Sequence, residues 1–239
     1  MNVIVNADDF GMSHRVNLAI DYCFKKGIIS STTIIANMPG FDEAINLAYI
    51  GKYDKCIGIH FNLVEGEPLS SPIKYCNRIC KNGKFIYKRN SVLFWNKRER
   101  EAIREEFITQ IEACRSKGIL LSHCDSHCHI HTELPIFLIM YKTLKYYVIK
   151  KIRIPLNRGN NSSLLKKVYK FIFIRVLRSL GFVTTSYFSS LYAAINSNSD
   201  KWVELMCHPI MHENILYDHV EGVVINKYPL NLKNYTQLL

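Results

Sequence analysis

Between positions 125 and 131 the chain reads Asp-Ser-His-Cys-His-Ile-His, so a carboxylate and three imidazoles (Asp125, His127, His129, His131) recur at a spacing of two. In an extended segment that spacing projects all four to one side, with Cys128 and Ile130 on the other. Imidazoles and carboxylates gathered in this way are ligands for a divalent ion. The carboxylate can instead orient an imidazole through its second ring nitrogen. Two further carboxylates, Asp8 and Asp9, are adjacent. Neighbours in a regular strand face opposite sides, but at a strand end that turns through Phe10-Gly11 both reach one cleft. One then holds a metal while the other serves as a base. Taken alone, the pair reads at least as well as a turn that brings negative charge to a helix N-terminus. His60, in Gly58-Ile59-His60-Phe61-Asn62, reads alone as a core histidine, and His208, before Pro209, as a turn residue. Arg153, opening Arg-Ile-Pro, would steer a carboxylate such as Asp8, bind a substrate oxygen, or belong to a solvated basic patch. Asn37 reads as a turn residue or as a donor to substrate.

The elements around these residues decide between such readings. Residues 2–7 alternate and are β-branched, which predicts a strand. Ser13 and Gly27 bracket a helix over 14–26. Strands are expected over Ser31–Ala36, Cys56–Phe61, Ile119–Asp125, Lys151–Pro155, Phe182–Tyr187 and Val203–Cys207. Helices are expected over Phe41–Ile50, Glu99–Lys117, Leu134–Tyr147 and Ser163–Leu180, and Asn231–Leu239 is ambiguous. Alternating strands and helices imply a parallel sheet covered by helices. The expected fold is thus α/β, a single-domain (β/α) barrel-like fold over residues 1–239, distorted or incomplete, with an open doubly wound sheet as the alternative. Residues 63–97, rich in Pro, Gly and polar side chains, read as a long insertion after the third strand, and residues 157–181 as a basic helical segment. Parallel β/α folds gather their chemistry at the carboxyl ends of the strands. Asp8, Asp9, His60, the Asp125–His131 run and His208 all fall there, and that convergence outweighs any single residue.

Composition narrows the classes. Hydrophobic residues make up 48% and charged residues 21% of 239, the balance of a globular chain with a large core. No uncharged stretch is long enough to span a bilayer, and the opening Met-Asn-Val-Ile-Val-Asn lacks the pattern of an export signal, so a cytoplasmic location is expected. The 8 cysteines form no CxxC pair and read as reduced thiols. No GxGxxG or Walker motif follows a strand, which leaves nucleotide binding without support. The net charge of +11 is local: Leu134 to Ser199 holds no Asp or Glu, whereas 11 basic residues lie between Lys142 and Arg178. Such a segment fits nucleic acid, a membrane surface or an acidic substrate.

Four segments together resemble the YdjC-like carbohydrate deacetylases: Asn6-Ala7-Asp8-Asp9-Phe10-Gly11, Gly58-Ile59-His60-Phe61-Asn62-Leu63, Asp125-Ser126-His127-Cys128-His129-Ile130-His131 and Glu204-Leu205-Met206-Cys207-His208-Pro209. They come in the family's order and span most of the chain. The resemblance implies a barrel-like fold that removes the acetyl group from N-acetylglucosamine-type units such as chitooligosaccharides. It implies Asp9, His60 and His127 as metal ligands, Asp8 as base and His208 as acid, with one divalent ion, Mg2+ or Zn2+, as cofactor. Asp125, His129, His131, Arg153 and Asn37 remain candidates for supporting these groups or touching substrate. Cys128 stands where the family often has another histidine, and both the basic segment and the short tail after His208 depart from the usual pattern. Alternatives are a metal-dependent phosphoesterase, which calls for two metals and more carboxylates, a nucleic-acid binder, and a protein whose basic helix rests on a membrane surface or a partner. The sequence also permits a homo-oligomer.

Overall fold

Strand β1 (Asn2–Phe10) is buried over almost its whole length and alternates between two interiors. Val3, Val5 and Ala7 join the main apolar core. Ile4 packs instead with Tyr235 and Leu238, and Asn6 and Asp8, on the same side, bond to polar partners within the curved sheet. The computed structural model describes residues 1–156, 163–192, 201–213 and 215–239. After β1 come α1 (His14–Lys26), β2 (Ser31–Ile34), α2 (Phe41–Gly51) and β3 (Ile57–Phe61). A hairpin of β4 (Cys80–Lys81) and β5 (Lys84–Phe85) precedes α3 (Lys97–Ser116), β6 (Cys124–Ser126), α4 (Leu134–Tyr146) and α5 (Leu164–Ser179). The chain ends with β7 (Tyr187–Ser190), β8 (Trp202–Cys207), β9 (Pro209–His212), β10 (Ile215–Asp218) and β11 (Val223–Val224).

Six strands form one parallel sheet in the order β6-β3-β2-β1-β8-β7, a half-barrel. Isolated parallel bridges, Cys124 to Ile152 and Lys151 to Val183, extend it beyond β6. The segment from Val183 to Ser190 therefore touches both ends of the sheet, by its start on one side and through β7 on the other. The chain turns where its chemistry directs. Ser13 accepts from the Val16 amide, and Gly27, at φ 62°, closes α1. Asn96 and Glu99 form a reciprocal capping box at the start of α3.

Three strand expectations need correction. The strand expected over Ile119–Asp125 is confined to Cys124–Ser126. Lys151–Pro155 forms only the two bridges, because Arg153 turns its side chain into the interior and Pro155 has no N–H to donate. Phe182–Tyr187 is a bridge at Val183, with the paired strand starting at Tyr187. The antiparallel sheet β9-β10-β11 was not foreseen. The ambiguous tail lies along the first strand and buries Tyr235 and Leu238: Leu232 bridges to Val3, and Tyr235 stacks on His123 with ring centroids 3.7 Å apart. Residues 157–162 of the expected basic segment lie outside the described residues. The 63–97 insertion buries Ile73, Ile79, Tyr87 and Trp95 and is held by backbone bonds from Leu69 and Ser70 to the Glu106 carboxylate on α3. Among the described residues no helix is long and apolar enough to cross a membrane.

Candidate active site

The adjacent carboxylates share one cleft through a backbone irregularity. The register of β1 against β2 breaks between Ala7 and Phe10, and Asp9 sits in the left-handed region at φ 69°. A bulge of this kind re-aims one side chain without ending the strand, and Asp is among the few L residues that tolerate the conformation. The turn expected at Phe10-Gly11 is present as well. Gly11 has φ 90°, and a Cβ there would lie 2.9 Å from the Ile35 carbonyl.

Asp9 Oδ1 stands 3.3 Å from His60 Nε2 and 2.9 Å from His127 Nδ1. These three residues offer one ligand atom each, all within 4.8 Å of one another. Behind each imidazole stands another carboxylate. Asp125 Oδ1 is 2.6 Å from His60 Nδ1, and Glu65 Oε1 is 2.7 Å from His127 Nε2. An ionised carboxylate only accepts, so His60 Nδ1 carries a proton and Nε2 turns toward Asp9. Thr33 Oγ1 adds a donation to Asp125 Oδ2.

On the other side of Asp9, Arg153 is fully buried and gathers three carboxylates. It binds Asp8 with both terminal nitrogens, at 2.6 and 2.7 Å. Asp125 Oδ2 lies 2.5 Å from Nη1, Nε donates to Glu204 Oε1 at 2.7 Å, and the guanidinium lies over the Phe188 ring. Glu204 also accepts from Tyr235. His208 faces this group, with Nε2 3.9 Å from Asp8 Oδ2. Its Nδ1 stands 3.7 Å from Asp218 Oδ1, beyond hydrogen-bond length, while its backbone N–H donates to Asp218 Oδ2 at 3.0 Å.

Electrostatics follow from this packing. Burial alone would raise the Asp8 carboxyl, but Arg153 outweighs it and holds Asp8 well below the usual range. Asp9 is likewise held low against burial, by His127 and His60. Burial pushes Glu204 up to about 7 despite Arg153. Burial opposes charge on His60, yet Asp125, Asp9 and Asp8 raise it to about 9. His127 is pushed up to about 12 against burial by Asp9, Cys128 and Glu65. His208 is raised, with burial opposing and Asp218 and Asp8 prevailing. Two imidazoles drawn this strongly toward positive charge mark a point of negative potential. The donor set there, one carboxylate and two imidazoles, each ring backed by a carboxylate, fits a divalent cation. A second group, Asp8, His60 and Asp125, shares His60 and already surrounds Arg153.

The extended reading of residues 125–131 does not hold. Residues His127–Thr132 form 3-10 turns with Cys128 and His129 left-handed, at φ 52° and 55°, so the alternation of faces is lost. Cys128 consequently stays beside His127 instead of turning its back on it. Only His127 reaches Asp9. His131 Nδ1 pairs with Ser126 Oγ at 2.6 Å, and His129 packs edge-on to Phe188. Burial lowers both, His129 to about 3, so both rings are neutral. Asn37 stands apart from the cluster. Its amide donates to the carbonyls of Glu65 and Glu67 and accepts from Asn62, holding the turn that carries Glu65.

From the sequence alone no role falls to Glu65, Asp218, Thr33 or His123, nor to Glu204, which enters there only as the start of a matching segment. Glu65 follows His60 by five positions within the insertion, a proximity that carries a signal. Asp218 carries none, because its strand pairing with the residues after His208 is visible only in space.

A model of the YdjC-like protein family matches residues 2–226 of the chain. A carbohydrate deacetylase of Halalkalibacterium halodurans is 32% identical over 228 residues, covering 93% of this chain and 92% of that protein. One of Clostridium beijerinckii is 33% identical over 209 residues, 87% of this chain and 81% of the relative. The fold matches a crystal structure from Enterococcus faecalis V583, of a protein described as involved in cellobiose-phosphate cleavage. Its TM-score is 0.74 at 19% identity, over 99% of this chain and 98% of that one.

Proposed function

Because the chain belongs to the YdjC-like family, we propose that it is a metal-dependent deacetylase that releases acetate from an N-acetylated amino sugar or chitooligosaccharide. The observation that carries this reading is Asp9 facing both His60 and His127 while Asp8, one residue away, is locked by Arg153. The names of the relatives agree with it.

Asp9, His60 and His127 would hold the ion, zinc or magnesium by the chemistry of the donors. Such an ion would supply Lewis acidity for the acetyl carbonyl and for a water, whose pKa it would lower from ~15.7 toward ~7. Asp125 and Glu65 fix the two imidazoles from behind. Asp8 accepts the proton of the attacking water. The Arg153 clamp keeps it ionised and aimed, which also makes it a weak base. His208 lies across from Asp8, and Asp218 favours its protonated form, so it can give a proton to the departing amine nitrogen. Asn37 and Asn62 hold the Glu65 turn in reach of His127. His129, neutral, lines the wall beside Phe188, and His131, also neutral, is buried against Ser126.

A two-metal phosphoesterase is disfavoured, because the second carboxylate group is neutralised by Arg153 and shares a ligand with the first. The test is acetate release from a panel of N-acetylated amino sugars and chitooligosaccharides, before and after a chelator, with p-nitrophenyl phosphate in parallel. Acetate release that stops with chelation and resumes with added metal is expected. Turnover of the phosphate ester alone would overturn the proposal.

A further inference from the structure

Helix α5 is apolar on two opposite sides. Phe173 and Leu177 face the core. With about 100° between successive residues, Leu164, Val168, Phe171, Ile172 and Arg175 fall on the opposite side, with Leu165 at its margin. Exposure is 76% for Leu164, 83% for Leu165, 47% for Val168, 58% for Phe171 and 55% for Ile172. A solvent-facing helix ordinarily carries charges of both signs there, as α3 does with Arg100, Glu101, Arg104 and Glu105. On α5 every charge is positive: Lys166, Lys167, Lys170, Arg175 and Arg178. The Arg175 guanidinium lies over the Phe171 ring at 4.6 Å, so the cation rests on the apolar strip.

We propose that the outward face of α5 docks on an anionic bilayer surface. The charge selects the partner. No Asp or Glu occurs between Leu134 and Ser199, so a second copy seated face to face would set like charge against like. Nucleic acid would satisfy the cations but would leave Leu164, Leu165, Phe171 and Ile172 without an apolar partner. A lipid surface satisfies both. The apolar side chains enter the boundary between headgroups and acyl chains, and Lys and Arg keep their charges at the headgroups. The helix is about 24 Å long and presents this strip as one edge. Lys166 and Tyr169, on the inward side of the helix with Phe173 and Leu177, line a cleft that runs to His129 and Ile154 beside the strand tips. Docking through the outward strip leaves that cleft, on the inward side of the helix, uncovered. It uses none of the residues at Asp9, His60 and His127, so its failure would leave the proposed chemistry untouched.

The test is co-sedimentation of the purified full chain with phosphatidylcholine vesicles, with and without phosphatidylserine, at rising salt. We expect binding to the anionic vesicles at least about tenfold tighter than to the neutral ones, and weaker as salt rises. Leu165→Glu with Phe171→Glu should lower that binding by roughly tenfold or more at an unchanged melting temperature, since both side chains are exposed. Leu165→Gln with Phe171→Gln gives the same readout if the charged pair does not fold. Lys167→Gln with Arg175→Gln should remove the preference for phosphatidylserine. Equal binding to both vesicles, or vesicle binding indifferent to the apolar substitutions, overturns the proposal. So does a dimer by light scattering that those substitutions dissolve, or salt-sensitive retention on DNA without vesicle binding.

Discussion

Asp9 adopts a backbone conformation that most side chains avoid, and the site depends on it. At φ 69° it turns its carboxylate toward His60 and His127 while Asp8 keeps its place against Arg153. Asp8→Asn retains the shape and loses the charge, so metal content should stay at the level of the unaltered protein while turnover falls by about 10²–10⁴-fold; metal analysis beside an acetate assay checks both. His127→Ala should lose the metal itself. Glu65→Gln should weaken metal affinity by about 10–100-fold, measured by calorimetric titration; unchanged affinity would remove Glu65 from its supporting role. His208 provides the pH signature. Its folded pKa lies above the ordinary ~6.5, so its acid form persists to higher pH than that of a free imidazole and is lost as pH rises through the raised value. Activity that needs this acid should therefore fall on the alkaline side. Asp218→Asn should move that limb to lower pH, and a profile that does not move would deny Asp218 its influence.

Strands and turns decide which side chains meet. Gly58 in β3 has the ring of His123 where a Cβ would stand, 2.5 Å from its nearest atoms. Gly58→Ala must push His123 off Tyr235 and Asn6, and overpacking of this kind costs about 1–3 kcal/mol, measurable by denaturant unfolding. The consequence should reach the site, because Asn6 also donates to Asp8 Oδ1. The turns after β6 matter as much. By breaking the alternation at Cys128 and His129 they give the cluster one imidazole instead of three, and leave His129 at the cleft wall and His131 buried, both neutral.

Across the whole molecule, the first strand and the last residues close on one another. Tyr235 fills the interior beneath Arg153, stacks on His123 and donates to Glu204, whose other oxygen accepts from Arg153. Tyr235→Phe would leave a buried carboxylate oxygen short of its donor, a loss of about 1–3 kcal/mol. If the tail supports the site through Glu204 and Arg153, turnover should fall in the same variant; full activity with lowered stability would confine it to packing.

The residues that gather at the candidate site, the order of strands and helices, and the convergence on strand ends were legible in the amino-acid sequence, because strand alternation, caps and ligand chemistry are local properties. Ser13, Gly27 and the tetrad of motifs around Asp9, His60, His127 and His208 needed nothing else to be recognised. The partnership of Glu65 with His127, of Asp218 with His208, and the burial of Tyr235 against the first strand were not legible. Each joins residues through strand pairing, the curvature of the sheet or an irregular φ, which exist only in the folded chain. The spacing of residues 125–131 misled for the same reason. Periodicity describes regular backbone, and at Cys128 and His129 the chain leaves it, drawn by contacts that exist only once the sheet has folded.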